Sequence, residues 1–212
     1  MKAPSCWKAL LGVVSLCLPL AVLAESNLQK GAATLAPGAK AHVDILIKIP
    51  KVLYLRVGTG SAYSTGVLKS IPTVDLISFA PTAGQVGNGT AVAGTGGDLA
   101  GGVETAAILS NSGNVTLHAT ATGALGDAAG DKIAFSQITT TATTLTSATA
   151  LPAPVLTNAA SANIVLTAPA KKIISQDARW TFKYANSALA PTGTYGGINV
   201  RNSRVVYTAT MP

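Results

Sequence analysis

The clearest strand pattern in the chain reads Ala178-Arg179-Trp180-Thr181-Phe182-Lys183-Tyr184. Its three aromatic residues fall on one side of an extended chain, and Arg179, Thr181 and Lys183 fall on the other. This period of two, written in residue types that favour strands, predicts a half-buried β-strand.

A second alternating run follows at residues 204–210 and places Val205, Tyr207 and Ala209 on one face. Between the two runs, residues 191–197 read Pro-Thr-Gly-Thr-Tyr-Gly-Gly, which supplies turn residues that let the chain reverse. We expect the two strands to anchor the core of an all-β domain.

Other short runs of strand-forming residues are separated by Gly, Pro and Asn. The strongest covers residues 41–57, where Val43, Ile45, Ile47 and Ile49 alternate with other residues before Pro50 interrupts. Further candidate strands lie at 73–79, 103–109, 115–122, 132–138 and 163–168. Residues 139–150 are either an exposed strand or an extended linker.

Short strands with no helical period favour one class of fold. We expect an antiparallel, immunoglobulin-like β-sandwich of about seven to nine strands. The runs at 103–109 and 115–122 are expected to form a hairpin-like pair around residues 111–114.

The domain organisation follows from composition. Residues 25–40 lack a sustained period and predict a flexible amino-terminal arm, and residues 41–212 predict a single domain. Eight glycines within residues 83–102 predict a long mobile loop, because glycine loses the most backbone entropy on ordering.

The amino-terminal segment 1–24 reads as a cleaved secretory signal peptide. Lys2 and Lys8 precede an apolar stretch too short to cross a bilayer comfortably, and small or aliphatic residues precede Glu25. Cys6 and Cys17 both lie in this segment, so the remaining chain has no thiol for disulfides, metal binding or nucleophilic catalysis. We expect an exported protein located in the periplasm, at the cell surface or outside the cell.

Charged residues are few, and the net charge is moderately positive. Charged residues make up 11% of the chain, and the formal net charge of +7 falls to +5 without Lys2 and Lys8. The basic residues are scattered rather than clustered, which argues against nucleic-acid binding. A surface of Ala, Gly, Thr and Ser suits close packing against other copies or against cell-envelope components.

Candidate catalytic and metal-binding residues are few. His42 and His118 have no Gly-x-Ser-x-Gly sequence or ligand-spaced carboxylate near them, Asp127 and Asp131 fit solvated turn positions, and a glycosidase pair of Asp98 and Glu104 has nothing to single it out. We therefore predict no catalytic, cofactor-binding or metal-binding residues and no enzymatic activity.

The aromatic residues permit two interpretations. Trp180, Phe182, Tyr184 and Tyr207 have strand spacing and are expected in the core, where large aromatic side chains are usually buried. Alternatively, Tyr54, Tyr63, Trp180 or Tyr195 could stack on sugars in a secreted or periplasmic glycan-binding module.

A family resemblance adds to this reading. A signal peptide, a cysteine-free remainder, an early alternating strand and a Gly-x-Tyr-x-Gly-type turn at 193–197 before the last strand resemble secreted fimbrial (pilin-like) subunits of Gram-negative bacteria. The Trp-bearing strand is also similar to cell-wall-binding domains of Gram-positive surface proteins. Residues 25–40 depart from the fimbrial pattern, because they are rich in Ala and Gly and do not alternate.

Together these features predict an exported, non-enzymatic structural or adhesive protein. The resemblance implies a fimbrial or pilin-like surface subunit, partnered by other subunits or by envelope components and without stable membrane insertion. The expected mode of interaction is pairing of β-strand edges, with residues 43–49 as the leading edge.

Overall fold

A computed structural model describes residues 26–28, 30–31, 38–60 and 68–212. The predicted signal peptide at 1–24 and half of the predicted arm at 25–40 lie outside these residues. The chain divides into two units, residues 1–49 and residues 50–212. Within the described residues, no helix has the length and apolar character needed to span a membrane.

The described residues form twelve β-strands and one 3-10 turn at Phe135–Gln137. The strands are β1 (Leu53–Val57), β2 (Ile77–Ser78), β3 (Val92–Ala93), β4 (Thr95–Gly96), β5 (Val103–Ser110), β6 (Val115–Ala121), β7 (Leu125–Gly126), β8 (Lys132–Ile133), β9 (Ile138–Thr143), β10 (Ile164–Leu166), β11 (Ile174–Tyr184) and β12 (Val205–Thr210). A mostly-β fold with antiparallel sheets is therefore confirmed.

The larger sheet is built on β11, the longest strand. β5 pairs antiparallel with residues 174–181 of β11, and β1 adds to the far side of β5. β9 pairs with residues 179–184, and β3 pairs with the last two residues of β11. The strand order is β1-β5-β11-β3, with β9 also on β11.

A second sheet contains three antiparallel strands in the order β10-β6-β12. Two further pairs, β2 with β4 and β7 with β8, are short and join loop segments. Alternation along β6 is complete, because every second residue from Val115 to Ala121 is buried and the residues between them are half-buried. This pattern gives the second sheet one core face and one outer face.

The hydrophobic core contains residues from both of these sheets. Ile108 of β5, Leu117 of β6 and Trp180 of β11 are fully buried in one continuous cluster. The Trp180 ring lies 5.2 Å from the ring of Tyr207 on β12, at an interplanar angle of 49°. The predicted core role of Trp180 and of its neighbours Phe182 and Tyr184 is confirmed.

The predicted hairpin-like pair differs from the structure. The runs at 103–109 and 115–122 do form strands, β5 and β6, but each belongs to a different sheet. β11 and β12 are likewise in different sheets and meet through side chains rather than through backbone hydrogen bonds. Turn residues between strands specify that the chain reverses, but both a hairpin and a crossing between sheets satisfy that condition.

The predicted strand at 41–57 is present only at its carboxyl end. β1 begins at Leu53, and residues 38–49 have no regular secondary structure. The five large apolar side chains of segment 43–49 are 77–82% exposed: Val43, Ile45, Leu46, Ile47 and Ile49. Alternation shows that a segment can form a strand, but a strand also needs a partner edge.

The glycine-rich stretch 83–102 contains β3 and β4, whereas the sequence predicts a loop without regular structure. Its glycines permit close backbone approach: a side chain on Gly102, whose φ is +73°, would lie 2.7 Å from the Cα of Gly94. Here glycine allows a compact turn, and the entropy that it loses is offset by pairing.

The Thr-rich stretch after β9 is attached to β11 by one buried carboxylate. Asp177 accepts hydrogen bonds from the backbone N–H groups of Thr146 and Ser147, each at 2.8 Å, and from both of their hydroxyl groups. Burial alone would raise the pKa of Asp177, but these hydrogen bonds outweigh it and lower the pKa to about 2.

We expect Trp180→Ala to lower the free energy of unfolding by about 3–5 kcal/mol, because it empties a fully buried site. Trp180→Phe should cost less, since a ring still contacts Tyr207. It removes only the indole N–H that donates to the Leu151 carbonyl at 2.8 Å. Urea denaturation followed by circular dichroism measures both changes, and a stable Trp180→Ala protein would contradict the assigned core.

Acid should destabilise the protein through Asp177. Its folded pKa lies below the ordinary value of 3.8, so the stabilisation is present above about pH 4 and is lost as the pH falls towards 2. Asp177→Asn should cost about 2 kcal/mol at pH 7 and should weaken this acid dependence. Urea midpoints measured from pH 2 to pH 6 test this, with the exposed Asp44→Asn as the control.

Candidate functional site

The outer edge of β1 is the most distinctive surface of the 50–212 unit. Within the part of the chain that the structure describes, β1 pairs only with β5, and all five of its residues are half-buried. A groove of about 510 Å³ runs beside it and is lined by β1 itself and by residues 68–71 and 73. The last strand of a sheet is the place where another strand can be added through backbone hydrogen bonds.

The amino-terminal end of β1 is held by Asn111. Its side-chain oxygen accepts the N–H of Val52 at 2.8 Å, and its amide nitrogen donates to the carbonyl of Pro50 at 2.8 Å. The backbone N–H of Asn111 donates to the carbonyl of Val52 at 3.3 Å. These three bonds fix the point at which the chain enters β1.

The other end of β1 is fixed by a guanidinium and a carboxylate. Arg56 donates to the carbonyl of Gly58 at 2.7 Å and pairs with Asp98 at 2.8 Å. The second oxygen of Asp98 accepts the N–H of Thr105 at 2.7 Å, which connects this pair to β5. β1 is therefore secured at both ends.

Two further carboxyl groups lie beside this ion pair. Asp75 accepts hydrogen bonds from the N–H and the hydroxyl of Thr59 at 2.5 and 2.9 Å. Glu104 is only 4% exposed and accepts the N–H of Asp98 at 3.3 Å. Gly58 has a φ of +81°, and any side chain there would overlap a carboxyl oxygen of Asp75 and one of Glu104.

Burial raises the pKa of Glu104 from 4.5 to about 8, and the nearby carboxylates of Asp75 and Asp98 raise it as well, against a backbone hydrogen bond from Asp98 that lowers it. At neutral pH Glu104 is therefore mostly protonated. Its proton and the charge of Arg56 together offset two of the three carboxyl charges in the cluster.

Carboxyl oxygens of Asp75, Asp98 and Glu104 lie within 4.8 Å of one another, which is close enough to ligate one cation. Because Arg56 and the proton on Glu104 already neutralise much of this charge, we assign no metal to the cluster. The structure does bring together Asp98 and Glu104, which the sequence suggested as a glycosidase pair. Neither residue lines the groove beside β1.

The other residues singled out from the sequence belong to different units or elements. His118 lies on β6 opposite Thr208, and His42 lies in the 1–49 unit. Among the described residues, neither histidine belongs to a group of three potential metal ligands. Asp127 accepts the N–H groups of residues 129, 130 and 131 at 2.8–2.9 Å, which agrees with a turn role.

The three described aromatic residues among the four suggested for sugar stacking do not share a surface. Trp180 is in the core, and Tyr63 lies outside the described residues. Tyr54 is half-buried in the groove beside β1, and Tyr195 is half-buried with its hydroxyl donating to the Pro191 carbonyl at 2.9 Å. The sequence analysis did not identify Arg56, Asp75 or Asn111; the turn at 58–60 was the only local signal.

Glu104→Gln should raise stability between pH 6 and pH 8. The folded pKa of Glu104 is raised, so the contribution of this residue to the stability of the wild-type protein is greatest below about pH 4.5 and falls as the pH rises towards 8. Glutamine keeps the neutral form at every pH and can still accept the Asp98 N–H. We expect a melting temperature at pH 8 at least about 3 °C above wild type. If the melting temperatures of the variant and the wild type differ by the same amount at pH 4.5 and at pH 8, the raised pKa of Glu104 is contradicted.

Comparison with known proteins does not extend this description. No family model, curated protein or solved structure matches the chain.

Proposed function

We propose that this protein is an exported, non-enzymatic structural or adhesive subunit that joins other copies by β-strand addition. The observation that carries the proposal is segment 43–49, whose apolar residues are 77–82% exposed although they have the period of a strand. Exposed apolar segments of this kind mark interaction sites or aggregation sites.

The apolar side chains of the segment are arranged for pairing. Val43, Ile45, Ile47 and Ile49 share one face of an extended chain, while Asp44 and Lys48 lie on the other. Burying each aliphatic side chain contributes about 2 kcal/mol, so docking of the whole face supplies a large gross driving force. Pro50 at the end of the segment lacks an N–H and limits further strand growth.

The outer edge of β1 on a second copy is the acceptor that we propose. Within the described residues β1 is the last strand of its sheet, it has an adjacent groove that can take side chains, and Asn111 and Arg56 hold its ends in place. Strand addition of this type gives affinity through backbone hydrogen bonds and specificity through side-chain pockets.

The proposed sandwich architecture and the proposed export have their own support. The two large sheets contribute to one core, which supports an immunoglobulin-like sandwich, and segment 1–24 supports export to the periplasm, cell surface or medium. A fimbrial or pilin-like role fits both features. The burial of Trp180 removes the strongest aromatic candidate for the alternative, a glycan-stacking module.

Ile47→Lys tests the proposal directly. It places a charge on the face proposed to dock, so we expect the concentration needed for self-association to rise at least about tenfold. Leu46→Lys is the matched control, because Leu46 is 80% exposed but lies on the opposite face of an extended segment. Analytical ultracentrifugation measures association, and electron microscopy of labelled cells locates the protein.

The melting temperature of both variants should match that of the parent, because both side chains are exposed in the single chain. A parent protein that stays monomeric at all concentrations and gives no surface signal would refute the proposed function. Equal effects of the two lysine substitutions would refute strand addition by this face.

A further inference from the structure

A second groove lies on the outer side of the β10-β6-β12 sheet, away from the β1 edge. It has a volume of about 400 Å³ and is formed by Thr120 and Thr122 of the β6 region and by residues 199 and 201–204 before β12. Its size is within the range of small-molecule sites. Every lining residue except Val206 carries a polar or charged side chain, while carbon atoms of these same side chains also form part of the walls.

Two arginines supply the charge of this groove, and no acidic residue lines it. Arg201 uses one guanidinium nitrogen to donate to the carbonyl of Thr194 at 3.2 Å. Arg204 is half-buried and makes no hydrogen bond or ion pair with any described residue. Most guanidinium donors of the groove are therefore available to a ligand.

The loop that carries these arginines is anchored in place. The carbonyl of Arg201 accepts the N–H of Gly126 at 3.0 Å. The side chain of Asn202 bonds to the hydroxyl of Thr122 and to the carbonyl of Ala124, at 3.1 and 3.2 Å. The groove thus exists before a ligand binds, which reduces the entropy cost of binding.

Backbone strain at Arg201 supports a functional role for its side chain. Its φ is +52°, in the left-handed region, and Asn199 and Asn202 on either side have φ values of +54° and +62°. Asparagine adopts this conformation at little energetic cost, whereas the conformation is unfavourable for arginine. A residue held in a strained conformation that glycine would relieve is often retained for what its side chain contacts.

The lining chemistry narrows the ligand class. The fork of an arginine side chain matches the oxygens of a carboxylate or a sulfate, and hydroxyl and amide groups match the hydroxyls of a sugar. No aromatic side chain lines the groove, so stacking of a nucleobase or of a neutral sugar face has no support.

We propose that this groove binds an acidic saccharide, with Arg201 and Arg204 holding its carboxylate or sulfate and the neighbouring hydroxyl and amide groups contacting its sugar hydroxyls. This site would give an assembled surface protein a recognition function in addition to self-association. It uses neither segment 43–49 nor β1, so it stands independently of the proposed assembly.

Isothermal titration calorimetry of the purified protein tests the site. The probes are a glucuronic acid-containing disaccharide, the same disaccharide with a sulfate, a neutral glucose disaccharide and inorganic sulfate. We expect the acidic disaccharides to bind, and we expect added NaCl to weaken their binding because salt screens the arginine charges. The neutral sugar and inorganic sulfate should bind at least about tenfold more weakly, and the better acidic probe identifies which oxyanion the site prefers.

Two variants and one charge-matched control decide whether the saccharide binds in this groove. The double variant Arg201→Gln with Arg204→Gln should lose at least about tenfold in affinity, whereas Lys171→Gln with Lys172→Gln removes the same charge from another turn and should not. Arg201→Gly should weaken binding without lowering the melting temperature, because glycine relieves the left-handed strain.

Absence of binding by every acidic disaccharide would overturn the proposal. Equal losses in the arginine and lysine double variants would also overturn it, because net charge alone would then explain the binding. Inorganic sulfate binding as tightly as the acidic disaccharides would overturn the saccharide assignment. Ile47→Lys should keep full saccharide affinity, so failure of the assembly proposal and failure of this site give different results.

Discussion

The contact of Trp180 with the opposite sheet is the interaction on which the rest of the structure depends. Its ring is fully buried against Tyr207, and its indole N–H is satisfied by the carbonyl of Leu151. One side chain thereby joins β11, β12 and the segment before β10. A large aromatic side chain with a satisfied polar atom supplies much buried area without an unpaired donor.

With no cysteine outside residues 1–24, the remaining chain relies on burial and hydrogen bonding instead of disulfides. Buried carboxyl groups therefore fill structural positions. Asp177 stays ionised because four donors surround it, while Glu104 is mostly neutral because it lies buried beside two other carboxyl groups. The same side-chain chemistry has opposite protonation in the two environments, and both groups fix loops or strand ends.

The outer edge of β1 and the apolar segment 43–49 are complementary in kind. β1 is the last strand of its sheet within the described residues, and segment 43–49 has the period of a strand without being part of a sheet. Pairing would bury the exposed apolar side chains of the segment. The groove before β12 differs from both, because its two arginines and the strained backbone of Arg201 suit a small charged ligand.

The sequence by itself determined the β class, the inward faces of β11 and β12 and the burial of Trp180, because alternation depends only on neighbours along the chain. It did not determine that β5 and β6 enter different sheets, that residues 43–49 stay unpaired, or that Asp75, Asp98 and Glu104 meet beside Arg56. Only the tertiary structure decided these features, because strand partners, carboxyl clusters and grooves join residues far apart in the chain. Their energies depend on distances that no local pattern encodes.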